Sequence, residues 1–256
     1  MHSSDRLLTE KVFHDRQAQE RAFDLARRAD GLSVVDVAYL DHESWIRPAF
    51  EKLGDLPGLD VLDFGCGHGM AAVVLARKRA RVTAFDLSGG YLAEARRRAN
   101  ANNVEVEFVQ ADGAYLPFAD ASFDRIWGNA VLHHLDLRIA GAELYRVLKP
   151  GGFAVFSEPW GENRLLEWAR RRLPYPGKHR TIDEHPLCRR DLEILSSIFP
   201  DLSIQGHQFV SMIRRVLRQR RLIAELDHWD AMLLERVPLL QRYCRYVVLT
   251  LPRPGI

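Results

Sequence analysis

Nowhere in this chain is there an uncharged apolar run of about 18 residues, so an ordinary membrane-spanning helix is excluded. Cysteine is scarce. Cys66, Cys188 and Cys244 are odd in number, widely scattered and without metal-ligand spacing, which argues against a disulfide framework or a zinc knuckle and fits reduced thiols in a cytoplasm. An excess of one charge sign is also missing: 36 basic side chains stand against 34 acidic ones, so the balance by itself points to no polyanionic partner. Met1 to Lys11 carries charge throughout and has no apolar run, so a secretory signal is not expected. Internal repeats and low-complexity stretches are lacking as well. What is present is the composition of an ordinary globular protein, on 256 residues that can bury a substantial core.

Three regions of one expected domain, 1–256, differ in texture. Residues 1–57 read as a helical cap: Leu7, Leu8, Val12 and Phe13, then Ala22, Phe23, Leu25 and Ala26, recur at helical spacing. A second amphipathic stretch, Trp45 to Leu53, is closed by Gly54 and Pro57. Residues 58–159 alternate short apolar strands with helices. Strands are expected at 59–64, 81–86, 104–110, 123–127 and 152–157, and helices at 71–77 and 91–101. That alternation specifies a mostly parallel α/β sheet with helices on both faces, a fold that binds ligands at the carboxyl ends of its strands. Residues 160–256 read as substrate-side helices with strands near 202–210 and 243–251.

The first strand runs into Asp63-Phe-Gly65-Cys-Gly67-His-Gly69. Glycines at alternate positions let the backbone turn tightly and approach a ligand closely. The spacing is not the Gly-x-Gly-x-x-Gly that seats a dinucleotide pyrophosphate. Asp63 would repel a diphosphate and suit a cation. S-adenosylmethionine carries an ammonium and a sulfonium and no phosphate, so the electrostatics favour it over a nicotinamide dinucleotide.

The segment Val61 to Gly69 resembles motif I of the class I S-adenosylmethionine-dependent methyltransferases, and the likeness continues in register to Pro159. It implies a Rossmann-like, doubly wound, seven-stranded sheet with an antiparallel C-terminal strand and helical additions at both ends. In the family, the Asp63 position helps to hold the methionine portion and the glycines line it. Asp86 ends the second strand where a ribose-binding acid is expected, and Ser88 can cap the following helix in its place. The position of Asp112 receives the adenine amino group. The candidate cofactor set is Asp63, Gly65, Cys66, Gly67, Gly69, Asp86, Leu87, Asp112, Gly113 and Asn129.

Asn129-Ala-Val-Leu-His133-His134-Leu resembles the small-molecule branch, and it lacks the Asn/Asp-Pro-Pro-aromatic signature of enzymes that methylate amines of DNA and protein. Methyl transfer from a sulfonium needs mainly alignment and desolvation; a base is required only for a protonated acceptor. The catalytic candidates are His134, His133, Glu158 and His185. Adjacent histidines on a helix cannot both face one site well. Glu158 is expected to accept a proton, to orient a histidine or to pair with an arginine. Phe13-His14-Asp-Arg-Gln17 is a candidate lid. His179, Asp183 and His185 lack the spacing of a metal triad, so no metal is expected.

The stretch from Phe209 to Leu226 reads as an amphipathic helix. Its Arg214, Arg215, Arg218 and Arg221, with Arg170, Arg171 and Arg172, suggest either a solvated face or an anionic or lipid-like acceptor. The expected partner is therefore a small-molecule acceptor, without stable membrane insertion. Nucleic acid is disfavoured, although RNA methylation, a non-catalytic cofactor-binding module and aminocarboxypropyl transfer are weighed as alternatives. Acceptor and oligomeric state are not read from the sequence.

Overall fold

The computed structural model describes residues 3–25, 31–172, 185–215 and 220–255. Its centre is a seven-stranded sheet of β1 (Asp60–Phe64), β2 (Arg81–Asp86), β3 (Glu107–Gln110), β4 (Phe123–Asn129), β5 (Leu148–Pro159), β6 (Ser203–His207) and β7 (Tyr246–Pro252). The order is β3-β2-β1-β4-β5-β7-β6. The first five strands run parallel, and β7 is antiparallel to both β5 and β6. The order in which successive strands are added reverses between β1 and β4, and such a switch point opens a crevice at the carboxyl ends of the strands.

Strand periodicity decides the two cores. Along β1, Val61 joins the apolar cluster on one face and Leu62 and Phe64 the other; in β4, Trp127 and Ile126 divide in the same way. The first face is covered by α2 (Asp36–Leu40), α3 (Ile46–Glu51), α4 (Met70–Arg77) and α5 (Gly89–Ala101), which contribute Leu40, Phe50, Val73 and Leu92. The second is covered by α6 (Leu137–Val147) and α8 (Arg189–Ile198), through Leu144 and Leu195. The remaining helices are α1 (Ser3–Leu25), α7 (Arg164–Arg172) and α9 (Arg220–Arg236). Trp45 stacks on Tyr246 of β7 at 3.7 Å between ring centroids, joining the N-terminal region to the last strand.

Several segments differ from the sequence reading: β5 begins at Leu148 rather than 152, and β7 at Tyr246 rather than 243 because Pro238–Tyr243 is a 3-10 turn. The third strand begins at Glu107 rather than 104, because Asn103 turns left-handed (φ 53°) and the Val104 N–H closes α5 onto the Ala99 carbonyl. The expected helix over 209–226 is not continuous. Asp230 of α9, itself buried, accepts N–H bonds from Phe209, Val210 and Ser211 at 2.7–3.0 Å and winds them into a tight turn. A short 3-10 segment follows at Ser211–Arg215, and α9 starts at Arg220. His179, Thr181, Asp183, Glu184 and Arg218 lie outside the described residues, as do the side chains of Arg170, Arg171, Arg214, Arg215 and Arg221.

Candidate active site

The loop from β1 to α4 is left-handed at Gly65 (φ 68°), Gly67 (φ 51°) and Gly69 (φ 81°). A β-carbon at Gly65 would lie 2.6 Å from Val131 Cγ2, so both the backbone angle and the space require glycine. Three hydrogen bonds hold the loop. Cys66 N–H donates to the Phe85 carbonyl (2.8 Å), Gly67 N–H to Asp86 Oδ2 (2.8 Å), and Arg98 Nε to the His68 carbonyl (2.9 Å). Arg98 is itself held by a buried ion pair with Glu94 at 2.6 Å.

Asp63 lies within β1 beneath this loop and is almost fully buried, and its Oδ2 has no hydrogen-bond partner. Burial, then the charge of Asp86, pushes its carboxyl up to about 7, against the opposing effect of a hydrogen bond from the Ala72 backbone. A buried carboxylate with an unused oxygen is costly unless a cation or donor meets it. That is the fit expected for a ligand ammonium.

Asp86 ends β2. Its Oδ1 accepts from Ser88 N–H (2.9 Å) and its Oδ2 from Gly67 N–H, while the Ser88 hydroxyl caps α5 by accepting from Tyr91 N–H (3.1 Å). Asp86 is thus spared the capping duty; an ionised carboxylate has about four acceptor sites, so it retains capacity for ligand hydroxyls. Burial raises its pKa, against those two backbone donors. Asp112 sits two residues past β3, where Oδ1 accepts from Ala114 N–H (2.9 Å) in a side-chain turn. A β-carbon on the neighbouring Gly113 would meet Phe64 Cζ at 2.9 Å.

These elements surround a cavity of about 540 Å³, within the usual range for small-molecule sites. Gly65, Asp86, Leu87, Asp112 and Gly113 line one side. Val131, His134, Leu135 and Ile139 line another, and Glu10 and His14 of α1 close it. Helix α1 is docked on α5: Asp15 accepts from the Ser88 hydroxyl and Gly90 N–H, Gln17 accepts from the Tyr91 hydroxyl (3.0 Å), and Arg21 pairs with Glu94 (3.2 Å). Beyond Asn129, the 3-10 turn Leu132–His134 is fixed from below. Glu158 Oε1 accepts from Val131 N–H and Leu132 N–H, both at 2.9 Å, and Oε2 lies 2.7 Å from His133 Nδ1. His134 instead faces Glu10, with Nδ1 at 3.4 Å from Oε1. His14 Nε2 stands 3.4 Å from the other oxygen of Glu10. Burial disfavours charge on His14, but Glu10 and Asp86 outweigh it and raise its pKa.

Comparison with known proteins agrees with this geometry. Residues 62–156 match the methyltransferase domain family. A demethylmenaquinone methyltransferase from Parafrankia sp. is 36% identical over 173 residues, covering 59% of this chain and 68% of that protein. The chain belongs to the class I S-adenosylmethionine-dependent methyltransferases. A second demethylmenaquinone methyltransferase, from Beutenbergia cavernae, is 37% identical over 148 residues, 56% of this chain; the chain spans 60% of that relative's length. In fold, the methyltransferase resembles the geranyl diphosphate C-methyltransferase of Streptomyces coelicolor, solved with Mg2+, geranyl diphosphate and S-adenosyl-L-homocysteine. The TM-score is 0.58 at 18% identity, over 81% of this chain and 77% of that one.

Within this methyltransferase, eight of the ten expected cofactor residues fall into two groups. Gly65, Asp86, Leu87, Asp112 and Gly113 face the cavity, and Asp63, Gly67 and Gly69 shape the loop below it. Cys66 packs in the apolar core, where burial pushes its thiol well up. Asn129 is exposed and hydrogen-bonds the Ser157 hydroxyl, outside the cavity lining. Of the four catalytic candidates only His134 lines the cavity. His133 and Glu158 form a buried pair beneath it, and exposed His185 lies elsewhere, with Nδ1 by the Pro186 carbonyl. Sequence reading did not single out Glu10. Its signal was the spacing of Glu10 and His14, four residues apart on one helical face.

Proposed function

We propose that this chain transfers the methyl group of S-adenosylmethionine to a small acceptor with an apolar body, of the quinone or lipid type. The observation that carries the reading is Asp63: a buried carboxylate with an unused oxygen, beneath a left-handed glycine loop whose Gly65 lines the cavity. When bound, the cofactor supplies an electrophilic sulfonium methyl. Asp63 would hold the cationic end, Asp86 the ribose hydroxyls and Asp112 the adenine amino group, each an acceptor-only carboxylate matched to donors. Helix α1 closes the site and excludes water, which strengthens every polar contact inside. His134 is the group placed to meet the acceptor.

Two features support an apolar acceptor. Phe64, Phe85, Val131, Leu135 and Ile139 form much of the wall, and Tyr115 stands at the rim 68% exposed. The relatives named above methylate a demethylmenaquinone by their printed names. A polyanion such as RNA would meet Glu10, Asp86, Asp112 and Asp136, with no lysine or arginine in the described lining. We place the protein in the cytoplasm as one domain, with 1–57 as cap, 58–159 as cofactor core and 160–256 as substrate side; among the described residues no helix is long and apolar enough to cross a membrane.

The test is calorimetry with S-adenosylmethionine and S-adenosylhomocysteine, followed by radiolabelled methyl transfer to a naphthoquinol, a fatty acid and an RNA oligonucleotide. Micromolar cofactor binding with label in the quinol or fatty acid is the expected result. An absence of heat with both cofactor forms would sink the enzyme reading. Label in RNA alone would replace the acceptor class.

A further inference from the structure

We propose that Glu10, His14 and His134 bind a divalent transition-metal ion inside the cavity, joining α1 to the turn after β4. One donor atom from each residue lies within 4.8 Å of the other two. The separations from Glu10 to His14 and to His134 are both 3.4 Å. A strong hydrogen bond between a charged imidazole and a carboxylate closes to about 2.7–2.9 Å, and the His133–Glu158 pair a few ångströms away does so, at 2.7 Å. The three cavity-lining groups stop short of that distance. Metal–ligand bonds of about 2.0–2.1 Å in tetrahedral array place neighbouring donors roughly 3.4 Å apart, and each imidazole nitrogen stands that far from one of the two Glu10 oxygens, His14 from Oε2 and His134 from Oε1.

Chemistry and field agree with the geometry. Two imidazoles and one carboxylate suit Zn2+, Co2+ or Fe2+; Mg2+ and Ca2+ prefer all-oxygen sets. Three protein ligands leave positions open, as in reactive rather than structural sites. The described cavity lining carries four carboxylates, Glu10, Asp86, Asp112 and Asp136, and no lysine or arginine, so the local field attracts cations. Such an ion would also give a hydroxyl, enolate or carboxylate oxygen of the acceptor a positive partner in a site otherwise hostile to it. The triad spans two elements far apart in sequence, which is why spacing alone does not reveal it. The metal site does not depend on the methyl-transfer reading, because its ligands do not include Asp63, Asp112 or the glycine loop.

The experiment is titration of chelator-stripped full-length protein with Co2+, read by visible d–d absorption, with competition by Zn2+. One equivalent of Co2+ binds with the intense bands of a low-symmetry nitrogen and oxygen site, and Zn2+ displaces it. Glu10→Ala, His14→Ala and His134→Ala each weaken binding at least on the order of 100-fold, since loss of a group that merely hydrogen-bonds a metal ligand already costs about 10–100-fold; His185→Ala leaves it unchanged. Circular dichroism melting of each metal-free variant shows that the fold survives. Absence of the bands in the parent protein overturns the proposal. So does binding that persists in folded His14→Ala and His134→Ala, or that disappears in His185→Ala. Cofactor calorimetry on the metal-free protein keeps failure of this site distinct from failure of the methyltransferase assignment.

Discussion

His133 and His134 are neighbours in sequence, with ring centroids 4.1 Å apart, and each faces a glutamate, yet they belong to different parts of the molecule. His133 is buried and closes on a fully buried Glu158 that also holds two backbone N–H groups. His134 lines the cavity and faces Glu10 of a different element across a longer gap. The short 3-10 turn makes this division, because consecutive residues on so tight a helix point in different directions. One histidine–glutamate pair therefore builds the floor of the site and the other lines the site itself.

The largest effect expected from breaking this comparison is on the floor. Glu158→Ala takes the acceptor from two backbone donors and the carboxylate partner from the buried His133 ring, and each buried donor left unsatisfied costs about 1–3 kcal/mol. Urea unfolding should show that loss. Glu10→Ala, on the cavity side, should cost less in metal-free protein, because its separations from both imidazoles are long, at 3.4 Å, and it holds no backbone N–H group as Glu158 does. Equal losses in the two variants would remove the distinction between floor and site.

Next in size is Asp63, which is buried like Glu158 but lacks a partner for one oxygen. Asp63→Asn should weaken S-adenosylmethionine binding on the order of 100-fold, as expected when one partner of a desolvated charge pair is lost. The ligand-free variant should unfold no earlier than the parent, since it carries no buried charge. Calorimetry and thermal melting read the two effects separately. A variant that bound the cofactor normally would remove Asp63 from the site.

The pH dependence of the same residue sharpens the point. Its carboxyl is raised to about 7 in the ligand-free fold, from an ordinary 3.8. Its contribution to stability is therefore complete below the ordinary carboxylate range and is lost as pH rises through about 7. A cationic ligand favours the ionised form, so cofactor affinity should run the other way: it falls about tenfold per pH unit below 7 and levels off above it. Opposite slopes for ligand-free melting and cofactor affinity are the expected signature. Affinity that is flat from pH 5 to 8 would contradict it.

The glycine-loop half of this cavity was legible as structure because it is local. Asp63, the three glycines and Asp86 sit at strand ends that hydrophobic pattern alone locates, and a left-handed turn allows little besides glycine. That the Cys66 side chain packs in the core was not legible, because a loop's register does not reveal which side chain turns inward. The acceptor half was less legible because its parts meet only through tertiary packing. Glu10 and His134 are 124 positions apart, and Asp230 reaches back to bend a segment whose periodicity alone reads as helix. Glu158 was open between accepting a proton, orienting a histidine and pairing with an arginine; the structure sets it beneath the turn, against His133.

The smallest predicted change in stability, and the one that separates the histidines most directly, is at His134. Removing its ring takes away a long contact to Glu10 and part of a cavity wall that is already open, so His134→Ala should melt within about 1 kcal/mol of the parent. Cofactor affinity should be unchanged, because Asp63, Asp86 and Asp112 are untouched. Methyl transfer should nevertheless fall by about 10²-fold or more, in kcat rather than in cofactor affinity, if the residue aligns the acceptor. His133→Ala should show the reverse: about 1–3 kcal/mol of stability lost as Glu158 gives up a buried partner, with methyl transfer reduced only as far as the floor shifts. Should both variants lose activity in proportion to their stability, the two rings would share one structural role, and the line drawn between floor and site at this turn would have to be abandoned.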